Sequence, residues 1–296
     1  MSEDIEIRSH VGTYTVDLGP RPHPGMWEKP FHVLIDAKVL SLHRDVLDPI
    51  LDASHSMITI DPIEERKSLE QLPNYVASLA HQGVRRGHSL LCVGGGILQD
   101  ITCFLSAVLY RGLPWSFVPT TLLAQADSCI GSKSSINVSG WKNIVGTYTP
   151  PSSVVIWPGF LATLSDVDVR SGLGEMLKVH AIADPKAFDE IASDYQALLQ
   201  DRELLLQYVR RSLEIKRGFI EADEFEFNKI KNILKAQGNI KIKDPGNEKT
   251  VGRCKEAFDF ISPESLPEQI EQERHAGFPD SNEARSKLET CFRYTK

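Results

Sequence analysis

The residues able to do chemistry crowd into one stretch, from Val93 to Pro151. It opens on Gly94-Gly95-Gly96-Ile97-Leu98-Gln99-Asp100 and passes through Val118-Pro119-Thr120-Thr121-Leu122-Leu123. It continues with Asp127-Ser128-Cys129-Ile130-Gly131-Ser132-Lys133-Ser134-Ser135-Ile136-Asn137 and closes on Lys142-Asn143-Ile144-Val145-Gly146. Glycines, small hydroxyls, lysines and asparagines in one span are the ingredients of anion and polar-ligand binding. Three glycines after an apolar strand and before an apolar helix let a ligand approach the backbone. The helix N-terminus then offers free N–H groups and a positive dipole end. This predicts a diphosphate cradle, with a tight strand-to-helix turn as the plainer alternative. The run is not GxGxxG, so the ordinary dinucleotide fingerprint is absent.

A second candidate lies in Gly172-Leu173-Gly174-Glu175-Met176-Leu177-Lys178. Glu175 and Lys178 have i,i+3 spacing, which gives a modest ion pair on a helix. A charge pair in an apolar stretch also suits a metal ligand, because a buried carboxylate needs a cation. Both readings stay open, and the nearby His180 reads as a core histidine. Taken alone, Lys133 and Lys142 read as solvated surface lysines.

The elements that must position these residues alternate. Residues 5–17 suit an edge hairpin, and Phe31-His32-Val33-Leu34-Ile35 is an apolar run of buried-strand type ending at Asp36. A helix over 40–51, a strand over 57–60, a helix reaching 82 and a strand over 89–93 follow. Strand, helix, strand, helix, strand predicts a doubly wound α/β sheet. Further strands are expected at 115–119 and 152–156, with a short hairpin about Ser139-Gly140. From Leu161 the texture turns helical, at 165–183, 185–199, 201–221 and 226–236. A domain boundary near Pro158 gives an N-terminal parallel-sheet α/β domain, 1–158, and a mostly helical domain, 159–296, atypical or incomplete after about 235, where the chain turns charged and Pro/Gly-punctuated.

Composition limits the partners. A chain of 296 residues, 41% hydrophobic and 25% charged, suits a soluble globular protein with a large core. A net charge of −7 argues against nucleic acid or an anionic membrane as partner. No apolar run approaches the roughly 18 residues of a membrane span. The five cysteines are odd in number and lack CxxC spacing. Cys92 and Cys103 sit in apolar runs as buried thiols, which points to a reducing cytoplasm.

Taken in order, the motifs resemble the 3-dehydroquinate synthase family over about residues 36–234. These are NAD-dependent sugar phosphate cyclases that include the aminocyclitol and valiolone-type synthases. Glu64-Glu65-Arg66-Lys67 fits the family's Glu-x-x-Lys, Gly94-Gly95-Gly96 with Asp100 its GGGxxxD, and Arg111-Gly112 its Arg-Gly. VPTTLL is intact. Asp127, Ser128, Gly131, Lys133 and Asn137 fit DSxxGxK...N, and Lys142, Asn143 and Gly146 fit KNxxG. Ser171 to Lys178 fits SGLAExxK, and Lys216 followed by Asp223-Glu224 continues the order.

The resemblance implies a two-domain lyase that holds NAD across a cleft and a divalent metal, zinc or cobalt, in the helical half. NAD transiently oxidises a hydroxyl, phosphate leaves, the ketone is reduced again, and the ring closes by intramolecular aldol addition. The implied substrate is a heptulosonate or related sugar phosphate, with a place in the shikimate pathway and aromatic amino acid biosynthesis, and the implied assembly is a homodimer. Carried over, Asp36, Glu64, Lys67, Gly95, Gly96, Asp100, Thr120, Thr121, Asp127, Ser128 and Lys142 line NAD. Lys133, Asn143, Lys178 and Lys216 meet the substrate, and Glu175 holds the metal.

The sequence departs from the family pattern at three places. Ser132 and Gln99 each stand where the family usually has glycine. No GHxxGH occurs anywhere, Gly238 falls about where its first histidine belongs, and the only histidine after His180 is His275. A homologue that binds NAD or a phosphosugar without turnover is therefore the alternative to an active cyclase. A polyol dehydrogenase of the same broad fold is a third reading.

Overall fold

The computed structural model describes residues 4–9, 11–235, 242–244 and 247–251, with side chains as far as residue 221. Gly238 and His275 lie outside the described residues, as do the side chains of Asp223 and Glu224. The chain divides into two compact units, Met1–Glu226 and Phe227–Lys296.

The first unit is built on a seven-stranded sheet. Its strands in chain order are β1 (Ile5–Ser9), β2 (Gly12–Leu18), β3 (Phe31–Asp36), β4 (Ser56–Ile60), β5 (Ser89–Gly94) and β6 (Trp115–Pro119). A separate two-stranded ribbon, β7 (Ile136–Val138) and β8 (Trp141–Val145), precedes the last sheet strand, β9 (Ser153–Ile156). The spatial order is β1-β2-β9-β6-β5-β3-β4, parallel throughout except for β1, which runs antiparallel to β2 at the edge. The expected α/β class and the edge hairpin are both observed. Ser139 and Gly140 turn β7 into β8 with φ of 48° and 84°, the left-handed pair that suits a two-residue hairpin.

Alternation along the strands splits the core between the two faces of the sheet. Phe31, Val33, Ile35, Leu91 and Val93 face one way and pack with Val46, Leu47 and Ile50. Leu34, Leu90, Cys92 and Phe117 face the other way and pack with Leu98, Ile101 and Leu105. Strands buried on both faces read as continuous apolar runs, which is why they were legible. Cys92, Cys103 and Cys129 are buried free thiols.

The helices depart from expectation in instructive ways. The stretch over 40–51 becomes α1 (Ala37–Leu42) and α2 (Arg44–Ala53), because His43 leaves helical angles. Its ring packs edge-on to Phe160 and its Nε2 meets Thr163 Oγ1 at 2.7 Å, so tertiary packing interrupts the helix. Instead of one helix to 82, a 3-10 turn (Glu64–Lys67) precedes α3 (Leu72–His81), with Pro73 in the first turn, where its missing N–H costs little. Helix α4 (Gly96–Val108) starts earlier than expected, at the glycines themselves. Beyond β9, Ser165 caps α5 (Asp166–Ala183) and Asp184 caps α6 (Pro185–Ser193), followed by the single turn α7 (Tyr195–Leu198). Helix α8 (Arg202–Lys235) is continuous where two helices were expected, since residues 221–226 contain no Gly or Pro to stop it. The second unit contains an antiparallel pair, β10 (Ile242–Asp244) and β11 (Asn247–Val251). No helix among the described residues is long and apolar enough to cross a membrane.

At the N-terminal end of the sheet three histidines meet. His32 is fully buried, its Nδ1 lies 2.6 Å from Ser56 Oγ, and its Nε2 lies 2.9 Å from His88 Nδ1. His55 stands edge-on to both rings. Burial, then the neighbouring His55 and His88, holds His32 down at about 4. His88 is also lowered, by burial and then by His55 and Arg85. The folded protein therefore binds fewer protons than the unfolded chain between about pH 6.5 and about 4, so stability falls as pH falls through that window. Chemical denaturation from neutral pH downward should show this loss, and His32→Gln should flatten it. An unchanged slope in the variant would place the proton uptake elsewhere.

Candidate cofactor and substrate site

The sheet reverses its order between β3 and β5: the chain leaves β3 for β4 at the edge, then returns across β3 to β5. In an open parallel sheet, the crevice outside the carboxyl ends at such a point is where a ligand fits. Register brings the candidates there together. Ile35 pairs with Val93, so Asp36 and Gly94 emerge side by side; Gly94 pairs with Pro119, so Gly95 emerges beside Thr120.

Each of these residues has a defined local role. Asp36 Oδ1 accepts from the amides of Lys38 and Val39 and caps α1, while burial raises its carboxyl above the usual range. Gly95 is the N-cap of α4 and supplies no side-chain cap, so the first-turn N–H groups are left for a ligand. A Cβ on Gly95 would stand 3.0 Å from Thr121 Cγ2, whereas one on Gly96 would meet nothing within 4 Å. Thr120 Oγ1 is buried without a partner among the described residues. Thr121 Oγ1 accepts from the Ala124 amide and starts the next turn.

A buried cation organises the flank. Lys67 is 7% exposed; its Nζ donates to Asp100 Oδ2 at 2.9 Å and Asn143 Oδ1 at 3.0 Å, with Glu64 Oε1 at 3.7 Å. Asn137 Nδ2 donates to Glu64 Oε1, and its Oδ1 accepts from the Asn143 amide, both at 2.9 Å. Asn143 sits at φ 58°, a left-handed conformation that asparagine tolerates. Asp100 Oδ1 accepts from the Ser135 amide. Burial pushes the Asp100 carboxyl up, with Lys67 acting against it. Glu64 is held below the usual range, first by the Asn137 bond and then by Lys67 and Lys142 against its desolvation. Lys133 and Lys142 are exposed on and before the hairpin, and Lys133 bridges Tyr148 through the backbone.

The facing groups come from the helices. The turn Ala124–Ser128 has π geometry, closed by Cys129 N to Ala124 O at 3.0 Å. Lys216 on α8 pairs with Asp127, donating to Oδ1 at 2.8 Å and to the backbone carbonyl at 2.7 Å. Glu175 and Lys178 form the i,i+3 ion pair on α5. Gly172 carries α5 onto the β6 loop: a Cβ there would stand 2.6 Å from Leu122 and 2.8 Å from Leu123 N.

The structure thus gathers Asp36, Gly95, Gly96, Thr120 and Thr121 at three strand ends, and Glu64, Lys67, Asp100 and Asn143 in one network. It joins Asp127 to Lys216 and Glu175 to Lys178. Two residues that sequence reasoning gave no role are structural ties. Gln99 bonds reciprocally with Ser128. Gln125 is fully buried and donates to the carbonyls of Pro119 and Trp157. Only the polar residue in an apolar run hinted at either. Among the described residues, no group of three His, Cys, Asp or Glu side chains stands together as a metal site.

Residues 57–171 match the 3-dehydroquinate synthase N-terminal family and residues 172–236 the 3-dehydroquinate synthase C-terminal family. This chain belongs to the 3-dehydroquinate synthase family. It is 35% identical over 226 residues to the 3-dehydroquinate synthase of Xylella fastidiosa, a match covering 72% of this chain and 61% of that enzyme. It is 32% identical over 237 residues to that of Enterococcus faecalis, covering 76% and 65%. The chain thus spans about three fifths of the curated relatives it matches. Among solved structures, the 2-epi-5-epi-valiolone synthase of Streptomyces hygroscopicus, with NAD+ and Zn2+ bound, aligns with a TM-score of 0.66 at 32% identity, covering 72% of this chain and 62% of that one. A 2-deoxy-scyllo-inosose synthase complexed with carbaglucose-6-phosphate, NAD+ and Co2+ shares the fold at TM-score 0.63 and 19% identity, covering 76% and 65%. An iron-containing alcohol dehydrogenase of Thermotoga maritima shares it more loosely, at TM-score 0.56 and 16% identity, covering 74% and 69%.

Two substitutions test this geometry. Lys67→Met leaves Asp100 without its cation and should cost about 3 kcal/mol, near the low end for a broken buried pair because the Asp100 side chain keeps 20% exposure. Gly172→Ala gains helix propensity but must displace Leu122, and should lose about 1–3 kcal/mol net. Urea unfolding reads both, and a stabilised Gly172→Ala would show that α5 can back away from the loop.

Proposed function

We propose that this chain binds NAD at the carboxyl ends of β3, β5 and β6 and receives a phosphorylated sugar beside it, as a sugar phosphate cyclase. The observation that carries the reading is the uncapped α4 N-terminus at the switch point, flanked by Asp36 and the unpartnered Thr120 hydroxyl. A dinucleotide needs that combination of free N–H groups and a close backbone approach. The family and the bound NAD+ of the valiolone synthase support it.

Gly95 and Gly96 would let the diphosphate reach the α4 amides, and Thr120 Oγ–H would gain the partner it lacks. The Lys67–Asp100 pair would hold α4 and the hairpin at fixed separation. NAD bound there supplies a hydride acceptor for a substrate hydroxyl. Lys133 and Lys142 would offer charge to a phosphate dianion, and Asn143, with Oδ1 committed to Lys67, would present its Nδ2 donors. Lys216, held by Asp127, and Lys178 would meet the sugar from the helices. In this reading residues 159–221 form the second wall.

The metal does not fit the described residues. Glu175, the carboxylate that the resemblance assigns to the metal, is not gathered with two further His, Cys, Asp or Glu side chains among the described residues, whereas a catalytic zinc takes three protein ligands. That carboxylate is paired with Lys178. No step is therefore routed through a metal, and binding without turnover is the second reading. The homodimer and the cytoplasmic setting belong to the first reading and are read by light scattering and fractionation.

Calorimetry with NAD+ should show one site per chain, and absence of binding would remove the central claim. Phosphate release from a heptulosonate or heptulose phosphate, with zinc or cobalt added and then chelated, separates the two readings. Chelator-sensitive release supports the cyclase, and NAD+ binding with no release supports the second.

A further inference from the structure

The turn Ala124–Ser128 ends with carbonyls that no following helix satisfies. The side chains of two distant residues take them up. Lys216 Nζ donates to Asp127 O, and Gln99 Nε2 donates to Ser128 O. Gln99 lies one turn into α4, its own amide closing on the Gly95 carbonyl at 3.0 Å, and it is 8% exposed. Its other amide atom, Oε1, is 2.6 Å from Ser128 Oγ.

The chemistry of these atoms leaves one arrangement. A backbone carbonyl can only accept, so the NH2 of Gln99 must face Ser128 O. The Gln99 carbonyl oxygen then faces Ser128 Oγ, and that oxygen can also only accept. The single hydroxyl proton of Ser128 is therefore committed to Gln99. What Ser128 has left is lone pairs.

We infer that Gln99 is a positioning residue that fixes Ser128 as a hydrogen-bond acceptor in the cofactor site, specific for a donor group of the ligand such as a ribose hydroxyl or a carboxamide N–H. The inference rests on the NAD-binding reading above. It excludes a role for the Ser128 hydroxyl as a donor to phosphate, which the α4 amides and the Thr120 hydroxyl would fill. It also makes Gln99 a tie between the cradle helix and the Asp127–Lys216 pair, because the same short turn carries both contacts. Without Gln99, the Ser128 hydroxyl rotates and its proton competes with the ligand's own donor for the same direction.

The test is a double-mutant cycle on the full chain, read by the dissociation constant for NAD+. Gln99→Met keeps length and removes both bonds; Ser128→Ala removes the acceptor. Each single variant should weaken NAD+ about tenfold, the scale of one lost hydrogen bond. In the Ser128→Ala background, Gln99→Met should add less than twofold, because the hydroxyl it positions is gone. Thermal midpoints measured beside the affinities register any loss of the carbonyl cap, which a merely structural role would also produce. Equal weakening in both backgrounds would overturn the inference, as would no effect of Gln99→Met in either. Wild-type protein that binds no NAD+ would overturn it together with the NAD reading, whereas wild-type binding with an additive cycle sinks this inference alone. Should Gln99→Met not fold, Gln99→Ala also removes both bonds at a position where alanine favours the helix, so it runs the same comparison.

Discussion

Lys67 has 7% of its surface in water, and an ammonium placed there needs anions and acceptors. It finds them on three separate pieces of chain: its own 3-10 turn through Glu64, helix α4 through Asp100, and the β7–β8 hairpin through Asn143. The hairpin is not part of the main sheet; it buries Ile136 in the core with Val145 packed alongside, while Trp141 and Ile144 are exposed. Polar bonds add to that anchor. Asn137 and Ser135 add bonds to Glu64 and Asp100, the two carboxylates that Lys67 also meets. The segment that carries Lys133 and Lys142 is thus tied at Ser135, Asn137 and Asn143 to the groups around one buried lysine.

The parallel register does the corresponding work at the strand ends. Because β3, β5 and β6 pair in step, the three loops that leave them start at one level. A slip of one residue would exchange the two sheet faces, burying His32 and Leu34 where Val33 and Ile35 now pack, so the core enforces the level of the loops. Gly172 extends this to the helices. It brings α5 within contact of Leu122 and Leu123, which follow directly from the strand-end threonines. The Glu175–Lys178 pair then sits one turn further along a helix whose start is fixed by Ser165 and whose middle is fixed by that glycine.

How much of this was legible depends on range. Apolar runs gave the buried strands, Ser139-Gly140 gave the hairpin, and Asp184-Pro185 gave the boundary between α5 and α6, because each is decided within a few residues. The break at His43 was not legible, since it answers to Phe160 and Thr163 more than a hundred positions away. The continuity of α8 was missed for the opposite reason: a run of charged helix formers looks like a boundary, but nothing in it stops a helix. Site residues followed the same division. Glycines and threonines at strand ends announced themselves by position, whereas Gln99 and Gln125 act through bonds to carbonyls that only the folded chain brings near. Motif order identified the family from the spacing of many weak signals, but it does not say which side chains are already committed to one another.

That commitment matters for how an acidic chain would hold an anion. The net charge of −7 creates a field that repels phosphate at long range. Near the site the carboxylates are engaged: Asp100 by Lys67, Glu64 by Asn137 and Lys67, Asp127 by Lys216, Glu175 by Lys178. Each pair cancels locally, so in the proposed reading an approaching anion would meet the α4 amides, with Lys142 exposed on the hairpin. At physiological salt the reach of an exposed charge falls off over about 8 Å, so these near groups outweigh the distant negative charge. The acidic composition that argues against nucleic acid is therefore compatible with a phosphate site, because four carboxylates of this region have been paired by the fold itself, while the Asp36 carboxylate, which caps α1, suits a ligand hydroxyl and not a phosphate.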